Sequence, residues 1–98
     1  MDEKRPLILI VDDVALNRTL LSDVLRDKYD ILEAKNGNEA LLFLREKTYE
    51  ISLVLLDIVM PEKDGMEVLS IMNKNGWIKE IPVIMISVGN SQSLIEGA

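Results

Sequence analysis

Short apolar runs alternate along the chain with longer segments in which apolar residues recur at helical spacing. Four runs are rich in branched residues and have the length of buried strands, which span about four to eight residues. They cover residues 7–11, 29–33, 51–56 and 81–86. All but residues 29–33 lack polar alternation, as expected for a sheet covered by helices on both faces.

The intervening segments predict three helices and the start of a fourth. The first helix has an apolar stripe at Leu16, Leu20 and Val24, with Leu21 and Leu25 beside it, and a polar side at Arg18, Ser22 and Arg26. The second helix, with Ala40, Leu41 and Leu44, begins after Asn36 and Gly37, which interrupt the preceding strand pattern. The third helix, with Val68, Leu69 and Met72, is ended by a cap at Asn75 and Gly76. Residues 89–98 predict the opening of a fourth helix.

Successive β-then-α units predict an open, doubly wound α/β fold with a parallel sheet, because parallel neighbours need a crossover and the helix supplies it. No repeat, low-complexity tract or linker interrupts the pattern. We therefore expect one domain over residues 1–98. In such sheets ligands bind beyond the carboxyl ends of the strands, where the strand order reverses.

Composition excludes several kinds of chemistry. The chain has no cysteine and no histidine, which removes thiolate sites and imidazole acid–base catalysis. Its net charge is −6 and its bases are scattered, so we expect no nucleic-acid partner. The apolar run at residues 7–11 is too short for a membrane span, so we expect no membrane contact and a cytoplasmic location.

Three carboxylates follow the predicted strands. Asp12 and Asp13 come after residues 7–11, and Asp57 comes after residues 51–56. If strand two lies on one side of strand one and strand three on the other, these carboxylates meet where the strand order reverses. Each also has a purely structural interpretation: Asp12 or Asp13 could cap the following helix, and Asp57 could be a turn residue. Ser87, at the end of the fourth strand, could likewise be a helix cap.

Taken together, the carboxylates point to a metal. Like charges crowded in one site cost stability unless a cation neutralises them, and no arginine or histidine follows closely in the strand-end loops. Oxygen ligands suit Mg²⁺, with Mn²⁺ as a substitute. A carboxylate beside Mg²⁺ suggests phosphoryl transfer onto aspartate. The sequence has no glycine-rich phosphate loop, so the phosphoryl group is expected to arrive from another molecule rather than from ATP.

These motifs in register resemble the receiver domain of two-component response regulators over nearly the whole chain. The matching pieces are Leu7 to Asp13, Asn17-Arg18, Ala34 to Gly37 with Glu39 to Leu41, Asp57 to Pro61, Asp64-Gly65 with Glu67, and Ile81 to Ser87. The resemblance implies the flavodoxin-like receiver fold with strand order 2-1-3-4. It also implies a signalling phosphoacceptor rather than an enzyme.

The resemblance implies a role for each matching residue. Asp57 would be the phosphoacceptor, and Asp12, Asp13, Asp57 and the backbone carbonyl of Val59 would hold Mg²⁺. Ser87 would be the switch hydroxyl. The donor would be a phosphohistidine on a sensor histidine kinase or a histidine phosphotransfer protein. The apolar side chain of Val59 cannot orient a hydrolytic water, so we expect slow autodephosphorylation.

Relative to the family pattern, the sequence stops within the fourth helix and lacks the fifth strand and fifth helix, with their lysine and aromatic switch residue. We therefore expect strand four to form an apolar sheet edge that promotes self-association or exchange of elements between chains. The main alternative is a truncated, receiver-like interaction or oligomerisation module with an impaired phosphoswitch or none. A haloacid-dehalogenase-type phosphatase fits less well, since that family uses Asp-x-Asp and Asp12 and Asp13 are adjacent.

Overall fold

The computed structural model describes residues 5–57 and 65–86. In these residues, four strands alternate with three helices, and a short 3-10 helix precedes the last strand. The elements in chain order are β1 (Leu7–Val11), α1 (Ala15–Leu25), β2 (Asp30–Ala34), α2 (Gly37–Glu46), β3 (Ile51–Asp57), α3 (Gly65–Lys74), the 3-10 helix (Trp77–Lys79) and β4 (Val83–Ile86). The predicted fourth helix, residues 89–98, lies outside the described residues.

The strands form one parallel sheet in the order β2-β1-β3-β4, which confirms the predicted α/β fold and strand order. Both faces of β1 are buried. Leu9 and Val11 pack on the side of α2 and α3, whereas Ile8 and Ile10 pack on the side of α1. This burial on both faces explains why the strand has no polar alternation.

The predicted strand over residues 81–86 is two residues too long, since β4 begins at Val83. Pro82 has no N–H to donate to a neighbouring strand. The N–H of Ile81 instead donates to the carbonyl of Trp77 at 2.9 Å, which ties it to the 3-10 helix. The apolar side chain of Ile81 is buried. The apolar pattern therefore correctly predicted that Ile81 lies in the core, but it wrongly placed this residue in a strand.

The predicted inward face of α1 is partly wrong. Leu16, Leu20 and Val24 are exposed, whereas Leu21 and Leu25 pack towards the sheet. Ser22, expected on the polar side, is buried. Its hydroxyl accepts a hydrogen bond from Nη2 of Arg26 at 2.7 Å, which satisfies the polar group away from water.

Two helix boundaries follow from local chemistry. Asn36 is the N-cap of α2, and its Oδ1 accepts from the N–H of Glu39 at 2.8 Å. The Glu39 carboxylate accepts in turn from the N–H of Lys35, the residue before the N-cap, and so also fixes the chain that enters α2. After α3, Gly76 adopts the left-handed region with φ of 79°, which glycine occupies without steric cost.

Candidate metal and phosphoryl site

Adjacent parallel strands bring the predicted carboxylates to one edge of the sheet. Val11, the last residue of β1, is paired with Leu56 of β3. The next residue along each chain segment is an aspartate, Asp12 after β1 and Asp57 at the end of β3. The N–H of Asp12 donates to the carbonyl of Ala34 on β2 at 3.1 Å, so its backbone is held by the sheet on that side.

Asp12, Asp13 and Asp57 form one acidic cluster, in which a carboxylate oxygen of each residue lies within 4.8 Å of the others. Asp12 is fully buried and Asp57 is 5% exposed, whereas Asp13 is exposed. The cluster is therefore embedded in the sheet edge on one side and accessible from solvent through Asp13. Burial makes the mutual repulsion of the carboxylates more costly, because solvent screens it less.

One carboxylate oxygen of Asp12 provides a test of whether a cation fits. Its Oδ1 accepts from the N–H of Val14 at 2.9 Å. Its Oδ2 is buried and has no hydrogen-bond partner among the described residues. A buried anionic oxygen without a donor is costly, and a divalent cation among the three carboxylates would supply its partner. The donors are all oxygens, as Mg²⁺ prefers, so these residues fit the ion.

The capping interpretation of Asp12 and Asp13 is wrong in this structure. Helix α1 begins at Ala15 with Val14 as its N-cap, and no side chain caps it by a hydrogen bond. Asp12 instead receives the Val14 N–H one step before the helix, which closes a local turn. The carboxylate of Asp12 thus shapes the β1–α1 loop while its second oxygen stays in the cluster.

Sequence reasoning missed the role of Arg18. This residue lies in the first turn of α1, outside the strand-end loops, yet its Nη1 donates to the backbone carbonyl of Asp12 at 2.7 Å. Its Nε donates to Oε1 of Glu33 on β2 at 3.1 Å. Two features could have pointed to this contact: an arginine one helical turn into α1, and an acidic residue near the end of the neighbouring strand.

Two predicted site residues, Val59 and Ser87, lie outside the described residues. Ser87 follows Ile86 directly in the chain, and Ile86 is the β4 partner of Asp57. The parts of the predicted site within the described residues, Asp12, Asp13 and Asp57, come together as expected.

The chain matches the response regulator receiver domain family over residues 8–98, and it belongs to that family. Receiver domains are signalling phosphoacceptors and not catalysts, and they imply a kinase or phosphodonor partner. Acidic clusters such as this one are typical of Mg²⁺ sites.

Individual relatives agree with this assignment. A two-component response regulator of Oryza sativa subsp. indica, ORR3, is 34% identical over 95% of this chain and 71% of its own length. A probable cyclic di-GMP phosphodiesterase of Vibrio cholerae is 45% identical over 82% of this chain, which covers only 18% of that protein. The CheX–CheY–BeF3–Mg²⁺ complex from Borrelia burgdorferi contains a chain with 32% identity and a TM-score of 0.78, covering 95% of this chain and 69% of that one.

Within residues 5–57 and 65–86, no helix has the length and apolar character needed to cross a bilayer.

Proposed function

We propose that this chain accepts a phosphoryl group on Asp57, with Mg²⁺ bound by the acidic cluster. The observation that carries the proposal is the meeting of three carboxylates at the end of β1 and β3, one of them with a buried, unpartnered oxygen. A cluster of this kind at the carboxyl edge of an open α/β sheet lies where such folds bind their ligands.

Asp57 is the proposed nucleophile. It ends β3 and is 5% exposed, so its backbone is fixed by the sheet while its carboxylate borders the cluster. One carboxylate oxygen forms the new bond to phosphorus, and the bond from phosphorus to the donor nitrogen or oxygen breaks. The donor atom keeps that electron pair, and Asp57 becomes an aspartyl phosphate.

Asp12, Asp13 and Asp57, with the backbone carbonyl of Val59, are the proposed ligands of Mg²⁺. When bound, the ion neutralises charge on the phosphoryl oxygens. Asp12 contributes a side chain whose other oxygen is already fixed by Val14, so its free oxygen has a defined direction. The Borrelia burgdorferi complex, which contains Mg²⁺ and BeF3, supports the choice of metal.

The proposed donor is a phosphohistidine of a sensor histidine kinase or a histidine phosphotransfer protein. The 98 residues contain no histidine, which agrees with a phosphohistidine supplied from outside this domain. Ser87 is the proposed switch hydroxyl, since it follows the β4 residue that pairs with Asp57. A cytoplasmic location stays a prediction from the sequence.

The proposal is tested by incubating the protein with acetyl phosphate and MgCl₂ and measuring its intact mass. We expect the mass of one phosphoryl group to be gained, and the gain to be lost on chelation of the metal. Asp57→Asn should abolish the gain, because the amide is not nucleophilic. Asp27→Asn is the matched control: Asp27 is exposed and follows the far end of α1, away from the cluster.

A mass gain that persists in Asp57→Asn would mean that another residue is the acceptor. A wild-type protein that gains no mass with small donors and none with a phosphorylated histidine phosphotransfer protein would contradict the phosphoacceptor proposal.

A second candidate function is self-association through β4. Within the described residues β4 has a single strand neighbour, β3, so its outer backbone groups have no strand partner there. Ile84 on this strand is 50% exposed. An apolar edge strand favours pairing with a second copy of the chain. This proposal corresponds to the alternative of a receiver-like interaction or oligomerisation module, and it does not require phosphorylation.

Light scattering across a wide concentration range tests the second candidate. We expect the average mass to rise with concentration for the wild type and to fall back towards the monomer in Ile84→Lys. Val24→Lys is the control, because Val24 is 76% exposed on α1, away from the β4 edge. A wild type that stays monomeric, or a Val24→Lys protein that alone loses association, would overturn the role of β4.

A further inference from the structure

Arg18 connects three elements around the acidic cluster. From the first turn of α1, its guanidinium reaches the backbone carbonyl of Asp12 at 2.7 Å and the carboxylate of Glu33 on β2 at 3.1 Å. The Arg18 side chain is only 17% exposed, whereas the side chains of Arg5 and Arg26 are 43% and 60% exposed. The contact with the Asp12 carbonyl is partly buried, whereas the contact with Glu33 is exposed.

The carbonyl that Arg18 holds belongs to the peptide group joining Asp12 to Asp13. The other side of Asp12 is also fixed, because its N–H donates to Ala34 on β2 at 3.1 Å. Its side chain is held by the Val14 N–H. Hydrogen bonds thus fix Asp12 on both its peptide groups and on one carboxylate oxygen, and only Oδ2 is left for another partner.

Asp13 depends on the same peptide group. It is exposed, so packing does little to restrict its side chain. The orientation of the Asp12–Asp13 peptide sets where the Asp13 side chain leaves the backbone. A contact that fixes this peptide therefore fixes the relative positions of two carboxylates in the cluster.

We infer that Arg18 is a positioning residue for metal binding: it clamps the Asp12–Asp13 peptide so that both carboxylates face one ion, and Glu33 holds the guanidinium in place. This inference rests on the metal site of the proposed function. Arg18 is not a ligand, and the Glu33 carboxylate balances its positive charge. Interactions that orient metal ligands from outside typically change metal affinity by about 10- to 100-fold when removed.

Arginine suits this task better than lysine. Its Nε and Nη1 donate in two fixed directions, towards Glu33 and towards the Asp12 carbonyl. A lysine ammonium is a compact charge on a flexible chain and does not reproduce the planar fork. Arg18→Lys therefore keeps the charge but is expected to reproduce the geometry only in part.

Calorimetric titration with MgCl₂ alone, repeated with MnCl₂, tests the inference in the metal-free full chain. The variants are Arg18→Met, Arg18→Lys and Glu33→Gln, and the control is Arg45→Met, which removes an exposed arginine in the last turn of α2. Each titration is made well below the melting temperature measured for that variant by circular dichroism. Arg18→Lys and Glu33→Gln keep the inference testable if Arg18→Met fails to fold.

We expect Mg²⁺ affinity to fall at least tenfold in Arg18→Met, with a smaller loss in Arg18→Lys and Glu33→Gln and no change in Arg45→Met. A folded Arg18 variant with a lower melting temperature but wild-type Mg²⁺ affinity would show a purely structural role and overturn the inference. A wild type that binds no Mg²⁺ would overturn the metal site itself, so the two failures are distinguishable.

Discussion

The three aspartates have unequal environments although they share one cluster. Asp12 is fully buried with one oxygen bound to the Val14 N–H, whereas Asp13 is exposed. Without a cation, like charges this close destabilise the fold, and the exposed member is the one whose charge can be removed with the least disturbance of packing. Asp13 therefore offers the cleanest test of repulsion within the cluster.

We predict that Asp13→Asn stabilises the metal-free protein and removes its stabilisation by Mg²⁺. Repulsion between two charges about 4 Å apart is on the order of 1 kcal/mol in water and larger where solvent screens it less. Because the neighbours of Asp13 are buried, the free energy of unfolding in EDTA should rise by at least about 1 kcal/mol. Loss of a ligand should abolish the increase that saturating Mg²⁺ gives the wild type, about 2.7 kcal/mol at a hundredfold excess over Kd.

Thermal unfolding followed by circular dichroism, in EDTA and in MgCl₂, measures both effects. Asp27→Asn, which removes an exposed charge outside the cluster, should keep the wild-type response to Mg²⁺. If Asp13→Asn responds to Mg²⁺ like the wild type, Asp13 is not a ligand.

At the scale of elements, α1 shows how burial differs between residues with the same intrinsic preference. Leu20 is 55% exposed, and the adjacent Leu21 packs against the cluster formed by Ile8, Ile10 and Leu55. Both are leucines in the middle of one helix, so helix propensity is equal and only the surroundings differ.

We predict that Leu21→Ala lowers the free energy of unfolding by about 1–2 kcal/mol, less than the 2–5 kcal/mol of a fully buried leucine, because Leu21 is half-buried. Leu20→Ala should stay within about 0.5 kcal/mol of the wild type. Urea unfolding of the two variants measures the difference. Equal losses would contradict the placement of α1 on the sheet.

The sequence pattern predicted the strands well because apolar runs mark burial on both faces. The pattern was less informative where a backbone property or a side-chain contact determines the local structure. Pro82 shortens β4 although its neighbours are apolar, and Ser22 is buried because Arg26 satisfies its hydroxyl. The three carboxylates were predictable from their positions after strands. The contact from Arg18 to the Asp12 carbonyl depends instead on how α1 is oriented relative to the β1–α1 loop, which the apolar pattern does not specify.

At the scale of the whole molecule, the sheet order creates the site. The connection from β1 runs to β2 on one side, whereas the connection from β3 runs to β4 on the other side. The strand order therefore reverses between β1 and β3, whose carboxyl ends lie next to each other at one edge. The same order places β4 beside β3, so Ile86 is paired with Asp57. The strand order therefore brings the acidic cluster together and also places the end of β4 next to it.

The central claim, that Asp57 is the acceptor, is tested most directly by locating the phosphoryl group. Borohydride reduces an aspartyl phosphate to homoserine, so the protein is treated with acetyl phosphate and MgCl₂, reduced, digested and sequenced by mass spectrometry. We expect homoserine at position 57, only when Mg²⁺ is present. Homoserine at position 12 or 13, or at no position despite a gain in mass, would contradict the assignment of Asp57 as the phosphoacceptor.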